Sequence, residues 1–273
     1  MSIDGIGGGW PPPPPPPPAA PQYSLNATFN GKQVVVGANA RFGGAIYTIK
    51  MDGLEYLDSS DHGRELQTAW QLNGQGEANN PTEAGSAANG AGSTSSTAIL
   101  AAAVAGTTLT TRVRPAFWYP YQGKVTSDDS LEKTVMLGHN GRNNILVHDI
   151  GMYLSSPYNT SMAVEGLTAY MPQAFSRLFL LDRATKATTE VLPAGLIPST
   201  SLAVLAATSD LSRAIALVHL NPQHIYWIGK IGPWPKLDCS WFSASNPAGW
   251  YRWRSFTVFG TWQEVLDSAQ AIS

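Results

Sequence analysis

The sequence predicts an all-β protein, built as a single large antiparallel β-sandwich with a short C-terminal helix. Runs of strand length, rich in alternating apolar and polar residues, follow one another along most of the 273-residue chain. Gly, Asn, Asp and Pro separate these runs at hairpin spacing, and only one segment has a convincing helical period. One domain fits this length, because β-sandwiches often reach about 200 to 250 residues.

The first two predicted hairpins carry the clearest turns. "YSLNATFNGKQVVVG" places Asn30-Gly31 between two short runs, and "AIYTIKMDGLEYLD" places Asp52-Gly53 in the same position. Both dipeptides are favoured in two-residue hairpin turns. Further strands are predicted, in chain order, in "STAILAAAVAGTTLTTRV", "LEKTVMLGHNGRNNILVHDIGMYL", "MAVEGLTAYM", "SRLFLLDRATKATTEVL", "SLAVLAATSDLSRAIALVHL" and "WYRWRSFTVFG".

The C-terminal segment "TWQEVLDSAQAI", residues 261–272, predicts the one helix. Thr261 can cap its N-terminus, and Glu264 follows three residues later, as in a capping box. The apolar positions recur at the spacing of one helix face. They are Val265, Leu266, Ala269 and Ile272.

Residues 1–22 differ in composition from the rest and predict a disordered tail ahead of a sandwich domain at residues 23–273. The tail contains eight consecutive prolines, Pro11 to Pro18, which favour a polyproline II segment about 25 Å long. It is interpreted either as a stiff spacer or as a ligand for an aromatic groove on a partner protein.

Charge and cysteine content narrow the classes of partner. Lys and Arg number 17 against 19 Asp and Glu, a formal net charge of −2. Nucleic-acid binding depends on a basic surface, so we expect no nucleic-acid partner. No apolar run is long enough to predict a membrane span. We expect a soluble chain without a visible signal peptide, cytoplasmic or exported by another route, in an unknown oligomeric state. Cys239 is the only cysteine, so no disulfide forms within the chain.

The segment "SSDHGRELQTAWQLNGQGEANNPTEAGS", residues 59–86, concentrates charged groups in a chain with only 13% charged residues. Asp61 is a candidate to orient His62 as a general base, and Arg64 is a candidate to clamp a sugar carboxylate. The alternative is a structural corner, in which Asp61 accepts backbone hydrogen bonds and Arg64 ties two strands together.

Alternation along "RELQTAWQL" predicts a strand with one apolar and one polar face. Glu65 and Gln67 lie on the polar face, which offers hydrogen bonds to a ligand. The following connection, residues 73–96, has almost no large apolar residue and is predicted to lack regular structure. It carries Glu77 and Glu83, beside Asn80. These acids are interpreted either as a catalytic pair for glycoside hydrolysis or as solvated loop residues.

Aromatic side chains are the other expected component of a sugar site, because sugar C–H faces pack on rings. Trp118 and Tyr121 belong to "FWYPY", a cluster in which Pro120 disfavours a central strand. Tyr170 is a further candidate. No histidine pair has zinc-ligand spacing, and neither a nucleophile motif nor a phosphate-binding loop is present, so no metal or cofactor is expected.

The order of these segments resembles a known family. "RFGGAIYTIKMDGLEYLDSSDHGRELQ" is similar to the opening of galactose-mutarotase-like super-sandwich proteins, in which a strand beginning G-G-x-I leads through a hairpin to D-x-G-R-x-x-Q. The stretch G-E-x-x-N-P-T-E-A-G and the ending "VFGTWQEVLDSAQAI" resemble uncharacterised bacterial proteins of that type. The resemblance spans most of residues 34–272 and implies a fold shared by sugar epimerases, polysaccharide lyases and accessory domains of glycosidases. The catalytic His and Glu pair of mutarotases has no counterpart at matching positions.

Together these features predict a carbohydrate-active protein, a glycoside hydrolase or polysaccharide lyase that acts on a poly- or oligosaccharide. Two alternatives remain open, because fold alone does not determine function. One is a non-catalytic glycan-binding module, which needs the aromatic rings and the polar strand face but no paired acids. The other is a structural or assembly protein that displays the proline tail.

Overall fold

The computed structural model describes residues 22–60, 62–72, 79–86, 94–191, 196–198, 202–220 and 225–272. Within these residues the chain forms 21 β-strands, a short 3-10 turn (Ala40–Phe42) and one α-helix. Every strand pairing among them is antiparallel. The predicted all-β sandwich is therefore confirmed, whereas residues 1–21 of the predicted tail lie outside the described residues.

A four-stranded sheet opens the fold, in the order β1 (Tyr23–Phe29), β2 (Lys32–Ala38), β3 (Ile46–Met51) and β4 (Leu54–Glu55). Its outer hairpins turn at Asn30-Gly31 and Asp52-Gly53, as the sequence predicts. Asn30 and Asp52 have φ angles of 50° and 49°, in the left-handed region that a two-residue hairpin turn requires. β1 packs against the nine-stranded sheet described below.

The eight-stranded sheet has the order β10-β9-β6-β5-β13-β20-β19-β16. Its strands are β5 (Gln67–Leu72), β6 (Pro81–Thr82), β9 (Ala116–Tyr121), β10 (Lys124–Thr126), β13 (Met162–Tyr170), β16 (Leu196–Pro198), β19 (Ile225–Ile231) and β20 (Trp234–Ser243). The connection after β5 was expected to lack regular structure. Its two-residue strand β6 nevertheless pairs with both β5 and β9, because backbone pairing needs no apolar side chain.

The nine-stranded sheet has the order β15-β14-β17-β18-β21-β12-β11-β8-β7. Its strands are β7 (Ala98–Ala105), β8 (Thr108–Arg114), β11 (Ser130–His139), β12 (Arg142–Leu154), β14 (Arg177–Asp182), β15 (Thr188–Glu190), β17 (Leu202–Ala207), β18 (Ala214–His219) and β21 (Gly249–Gly260).

The main hydrophobic core lies between the two large sheets. Trp70 and Leu237 enter it from the eight-stranded sheet, and Ile150 and Phe259 enter it from the nine-stranded sheet. The alternation predicted for β5 is confirmed, since Leu66, Trp70 and Leu72 all belong to this core. The face of each large sheet that points away from this core is therefore left for other contacts.

The C-terminal helix α1 (Trp262–Gln270) covers part of the outer face of the nine-stranded sheet. Its capping box between Thr261 and Glu264 is formed as predicted. The four predicted apolar residues pack in a second core cluster with side chains of β12, β14, β17, β18 and β21; they are Val265, Leu266, Ala269 and Ile272. No helix among the described residues is long and apolar enough to cross a membrane.

Glu264 also joins the helix to the first hairpin. Its carboxylate accepts hydrogen bonds from Lys32 Nζ at 2.9 Å and from Asn30 Nδ2 at 3.1 Å, and from the Thr261 N–H at 2.9 Å. Burial alone would raise the pKa of Glu264, but these hydrogen bonds lower it to about 2.

We therefore expect Glu264→Ala to lower stability by about 1 kcal/mol, which corresponds to about 2 to 4 °C in melting temperature. A depressed pKa contributes stability above the ordinary pKa of 4.5, and this contribution is lost as pH falls toward 2. The deficit of the variant should accordingly shrink in acid. Thermal melts from pH 7 to pH 2 test this, with Gln263→Ala in the same helix as the control. Equal melting temperatures for the two variants would contradict the role of Glu264.

Candidate functional site

A cluster of charged and aromatic side chains lies on the face of the eight-stranded sheet that points away from the main core. Alternation along β20 produces it, because Leu237 and Cys239 pack into the core while Lys236 and Asp238 point the other way. Lys236 lies opposite Tyr170 on β13, and Asp238 lies between Thr168 on β13 and Trp227 on β19. Three adjacent strands thus supply one continuous polar surface.

Lys236 is at the centre of this cluster. Its ammonium lies 2.7 Å from Glu165 Oε1 and 3.9 Å from Asp238 Oδ2. It also lies 5.4 Å from the ring centroids of both Tyr170 and Trp227. Burial alone would lower the pKa of Lys236, but the charge of Glu165 and its other polar neighbours raises it. The side chain is therefore a buried ammonium shared by two carboxyl groups.

Whereas the surroundings of Lys236 favour its charged form, those of Asp238 favour its uncharged form. Burial, and then the negative charge of Glu165, raise the pKa of Asp238 well above its ordinary value of 3.8, and Lys236 only partly offsets them. Its Oδ1 atom is buried and makes no hydrogen bond to any described residue. Asp238 therefore favours the protonated form, while Glu165 at 36% side-chain exposure is the better solvated acid. A buried carboxyl group and a more exposed one therefore lie on the same ammonium.

Arg64 extends the cluster toward β5. Its guanidinium lies 3.7 Å from the ring centroid of Trp234 and 5.7 Å from that of Tyr170. A planar cation stacked on an indole is held in place by that contact. Burial raises the pKa of Tyr170, and the nearby charges of Lys236 and Arg64 act in the opposite direction. The Tyr170 hydroxyl is therefore neutral and can donate a proton.

The turn before Arg64 is shaped by glycine. Gly63 has a φ of +90°, and a Cβ atom at this position would overlap the ring of Trp118. The Gly63 N–H donates to Glu65 Oε2 at 2.7 Å. Trp118 is held in turn by its own N–H, which donates to Asn80 O at 2.9 Å. Residues that the sequence suggests for sugar contact, Asn80 and Trp118, thus support the turn that carries Arg64.

The structure brings only some of the predicted site residues together. Arg64 and Tyr170 belong to the cluster, and Gln67 is paired with Thr168 beside it. The buried Gln67 side chain accepts a hydrogen bond from the Ala84 N–H at 2.9 Å, and Glu65 is fully buried. Asp61 and Glu77 lie outside the described residues.

His62, Glu83 and Tyr121 occupy three different environments. The buried ring of His62 contacts Phe42, with 5.8 Å between ring centroids. Tyr121 lines a separate cavity of about 230 Å³ with Phe117 and Tyr158. Glu83 is buried between the sheets, where its carboxylate has a fixed partner. The described residues of the segment 59–86 therefore do not come together in one site.

Glu83 and Lys133 form an ion pair across the main core. Lys133 Nζ lies 2.6 Å from Glu83 Oε1 and 2.7 Å from Oε2, and neither side chain is exposed. Glu83 Oε2 also accepts a hydrogen bond from the Thr68 N–H at 3.0 Å. Glu83 follows β6 of the eight-stranded sheet and Lys133 lies on β11 of the nine-stranded sheet. The pair therefore joins the two large sheets within the main core.

Sequence reasoning missed the core of the cluster, namely Glu165, Trp227, Trp234, Lys236 and Asp238. One signal was present, because "WPKLDCSW" places Trp234, Lys236 and Asp238 at alternate positions of one strand. Charged and aromatic residues at alternate positions of a strand indicate a site only when their face of the strand is known to point away from the core.

No protein-family model matches the sequence, and no curated protein matches it. Solved structures are similar in fold. A protein from Escherichia coli K12, provisionally named an aldose 1-epimerase, has a TM-score of 0.50 at 9% identity, over 88% of this chain and 99% of that chain. The fold is the galactose-mutarotase-like super-sandwich. The resemblance seen in the sequence is thereby confirmed for the fold.

Two further solved structures match with lower scores. A galactose mutarotase-like protein from Clostridium acetobutylicum has a TM-score of 0.43 at 8% identity, over 86% of this chain and 94% of that chain. Heparan sulfate lyase from Pedobacter heparinus has a TM-score of 0.48 at 9% identity, over 88% of this chain but only 35% of that chain.

Removing the charge of Glu83 should destabilise the protein, because it leaves the Lys133 ammonium buried and unpaired. We expect Glu83→Gln to cost about 3 to 5 kcal/mol of unfolding free energy. The double variant Glu83→Gln/Lys133→Met should cost less than the single variant, since it leaves no buried charge. Glu190→Gln, which removes an exposed acid paired with Arg177, is the control and should be nearly silent. Urea unfolding of the four proteins measures this, and a single variant as stable as the control would contradict the pairing.

Asp238 should lower stability at neutral pH, because folding moves its carboxyl into a place that disfavours ionisation. A raised pKa makes the unfolded state ionise first, so the stability of the folded state falls as pH rises above about 4. We expect Asp238→Asn to raise the melting temperature at pH 7 and to have little effect below pH 4. Thermal melts of both proteins across that range test the sign, and an effect confined to acid would contradict it.

Proposed function

We propose that this protein is a carbohydrate-active enzyme, a glycoside hydrolase that uses the Glu165–Lys236–Asp238 cluster for proton transfer. The observation that carries the proposal is that two carboxyl groups lie within 3.9 Å of one ammonium, and that burial raises the pKa of one of them, Asp238, so that it favours the protonated form. Glycoside hydrolysis needs one protonated acid for the leaving oxygen and one carboxylate as nucleophile or base. Asp238 takes the first role and Glu165 the second.

The surroundings of the acids suit a sugar. Trp227 and Trp234 are both partly exposed, and each lies beside a cation of the cluster. Rings of this kind take the C–H face of a pyranose, while Arg64 and Lys236 donate to its oxygens. The fold neighbour named as an aldose 1-epimerase is by that name a sugar-converting enzyme, which supports the same class of ligand.

Elimination is the second candidate, and Tyr170 is the observation that favours it. Its ring lies near both Lys236 and Arg64, and its neutral hydroxyl is a proton donor. Two cations beside such a hydroxyl can neutralise the carboxylate of a uronate while Glu165 removes a proton from carbon and Tyr170 protonates the leaving oxygen. Both candidate reactions use Glu165, and they differ in the proton donor, which is Asp238 in hydrolysis and Tyr170 in elimination.

The residue assignments follow from position in the cluster. Arg64 and Tyr170 keep their predicted substrate-binding role. The catalytic roles predicted for Asp61, His62 and Glu77 stay predictions, as do the binding roles of Asn80, Trp118 and Tyr121. Glu65, Gln67 and Glu83 are assigned to holding the turn and the sheets together.

The test is a screen of neutral and uronic polysaccharides with the full-length protein. Release of reducing ends alone indicates hydrolysis, and reducing ends with the absorbance of an unsaturated uronide indicate elimination. Asp238→Asn and Glu165→Gln should each lower the rate by roughly 10² to 10⁴ while the protein stays folded. Arg64→Lys should mainly raise KM, because it keeps the charge but loses the planar fork.

Glu190→Gln is the control acid, far from the cluster on β15, and should keep full activity. Retention of a polysaccharide without cleavage would replace the enzyme proposal with a glycan-binding module. Cleavage that survives both carboxyl substitutions would show that the cluster is not the active site. If the protein neither binds nor cleaves any of these polysaccharides, the structural role is favoured instead.

A further inference from the structure

The outer face of the nine-stranded sheet has two zones. Beneath helix α1 it is apolar, with Ile145, Val147 and Phe256 in the second core cluster. Beyond the helix the same strands turn polar and aromatic. Outward-facing side chains there come from β8, β11, β12 and β21, and they are Arg112, Arg114, Glu132, Thr134, Asp149, Tyr153, Trp250, Arg252 and Arg254. All of these residues lie in the described part of the chain.

The paired strands β12 and β21 arrange this second zone in rows. Tyr153 is opposite Trp250, and Asp149 is opposite Arg254. The rings of Tyr153 and Trp250 lie 5.3 Å apart and are 37% and 42% exposed. Arg254 binds both oxygens of Asp149, at 2.6 and 2.8 Å. An aromatic pair and a fixed ion pair thus frame the row between them.

That middle row is formed by Gly151 and Arg252. A Cβ atom on Gly151 would lie 2.9 Å from Arg252 Nη1 and 3.2 Å from the Trp250 ring. The glycine therefore leaves room for both side chains, and the Arg252 guanidinium lies 4.4 Å from the centroid of the Trp250 ring. Beside them is a hollow of about 380 Å³ whose polar lining is Glu132, Thr134, Asp149 and Arg252.

The charge of this zone is opposite to that of the whole chain. Four arginines face two acids, Glu132 and Asp149, whereas the chain has a formal net charge of −2. Arg112 and Arg252 share Glu132 at 3.5 and 3.6 Å, so this carboxylate does not neutralise both. A ligand with its own carboxylates or sulfates would balance the excess guanidinium groups.

We propose that this outer face is a second ligand site, which binds a chain of acidic sugars. The exposed rings of Tyr153 and Trp250 take the C–H face of a pyranose, Arg252 and Arg112 bind its acidic group, and the hollow above Thr134 admits its hydroxyls. The arginines alone would serve any polyanion. The aromatic pair beside them selects one that also has a ring to stack.

The inference rests on contacts of the nine-stranded sheet and not on the proton-transfer cluster of the opposite sheet. The two sites are therefore separable in experiment. Glu165→Gln and Asp238→Asn should leave binding at the outer face unchanged, and substitutions of the outer face should leave turnover of a short soluble substrate unchanged.

The test is the affinity of the full-length protein for polygalacturonate, which supplies carboxylates, and for heparin, which supplies sulfates, with dextran as the neutral glycan. Trp250→Ala should weaken binding of the acidic glycan about tenfold, and Trp250→Phe should retain most of it. Arg252→Gln should weaken it and reduce its dependence on salt. Gly151→Ala should weaken it by displacing Arg252. Phe242→Ala, which removes an exposed ring from the other sheet, is the matched control.

Inorganic polyphosphate separates stacking from charge, because it has no ring. Its binding should be sensitive to Arg252→Gln and insensitive to Trp250→Ala. The proposal is overturned by binding of neither acidic glycan, by equal affinity for dextran, or by binding that Trp250→Ala and Arg252→Gln leave intact. Loss of acidic-glycan binding in Arg64→Ala, with the outer-face variants unaffected, would place the ligand at the opposite sheet and would also overturn it. Unchanged melting temperatures establish that these surface variants are folded.

Discussion

The buried ion pair between Glu83 and Lys133 is the constraint on which the arrangement of the two large sheets depends. It lies where β6, a strand of only two residues, enters the eight-stranded sheet. Burial and the charge of Lys133 lower the pKa of the neighbouring His148 well below its ordinary value, so this histidine is neutral in the core. A charged pair, a neutral histidine and the Thr68 N–H thus lie together within the core between the sheets. Loss of either partner would destabilise the fold, because it would leave a single buried charge without a counter-ion.

The same sandwich presents two chemically different outer faces. On the eight-stranded sheet, β13, β19 and β20 direct acids, a lysine and tryptophans away from the main core. Lys236 and Asp238 are nevertheless buried there. On the nine-stranded sheet, the corresponding positions of β8, β12 and β21 carry arginines and open rings in direct contact with solvent. Burial raises the pKa of Asp238 on the first face, which is why proton transfer is proposed for that face and ligand recognition for the other.

Local signals in the sequence were sufficient to predict the strands, turns and helix, but they were not sufficient to predict the candidate site. The first hairpin turn is specified by Asn30-Gly31, and the helix cap by Thr261 and Glu264. Each signal lies within four residues, so both features could be predicted without knowledge of the fold. Arg64 could be found from its turn for the same reason. The role of Glu83 depends on Lys133, which is 50 residues away, and that of Asp238 depends on Glu165 in another strand. Such pairs become visible only when strand order and register are known, and the sequence pattern specifies neither.

The tight contact between Gly63 and Trp118 links two parts of the chain that are distant in sequence. The turn with Arg64 rests on the indole of Trp118, which is itself only partly covered. Any side chain larger than hydrogen at position 63 would have to displace this ring or the turn. The position of the Arg64 guanidinium over Trp234 therefore depends on a side chain that β9 of the same sheet supplies.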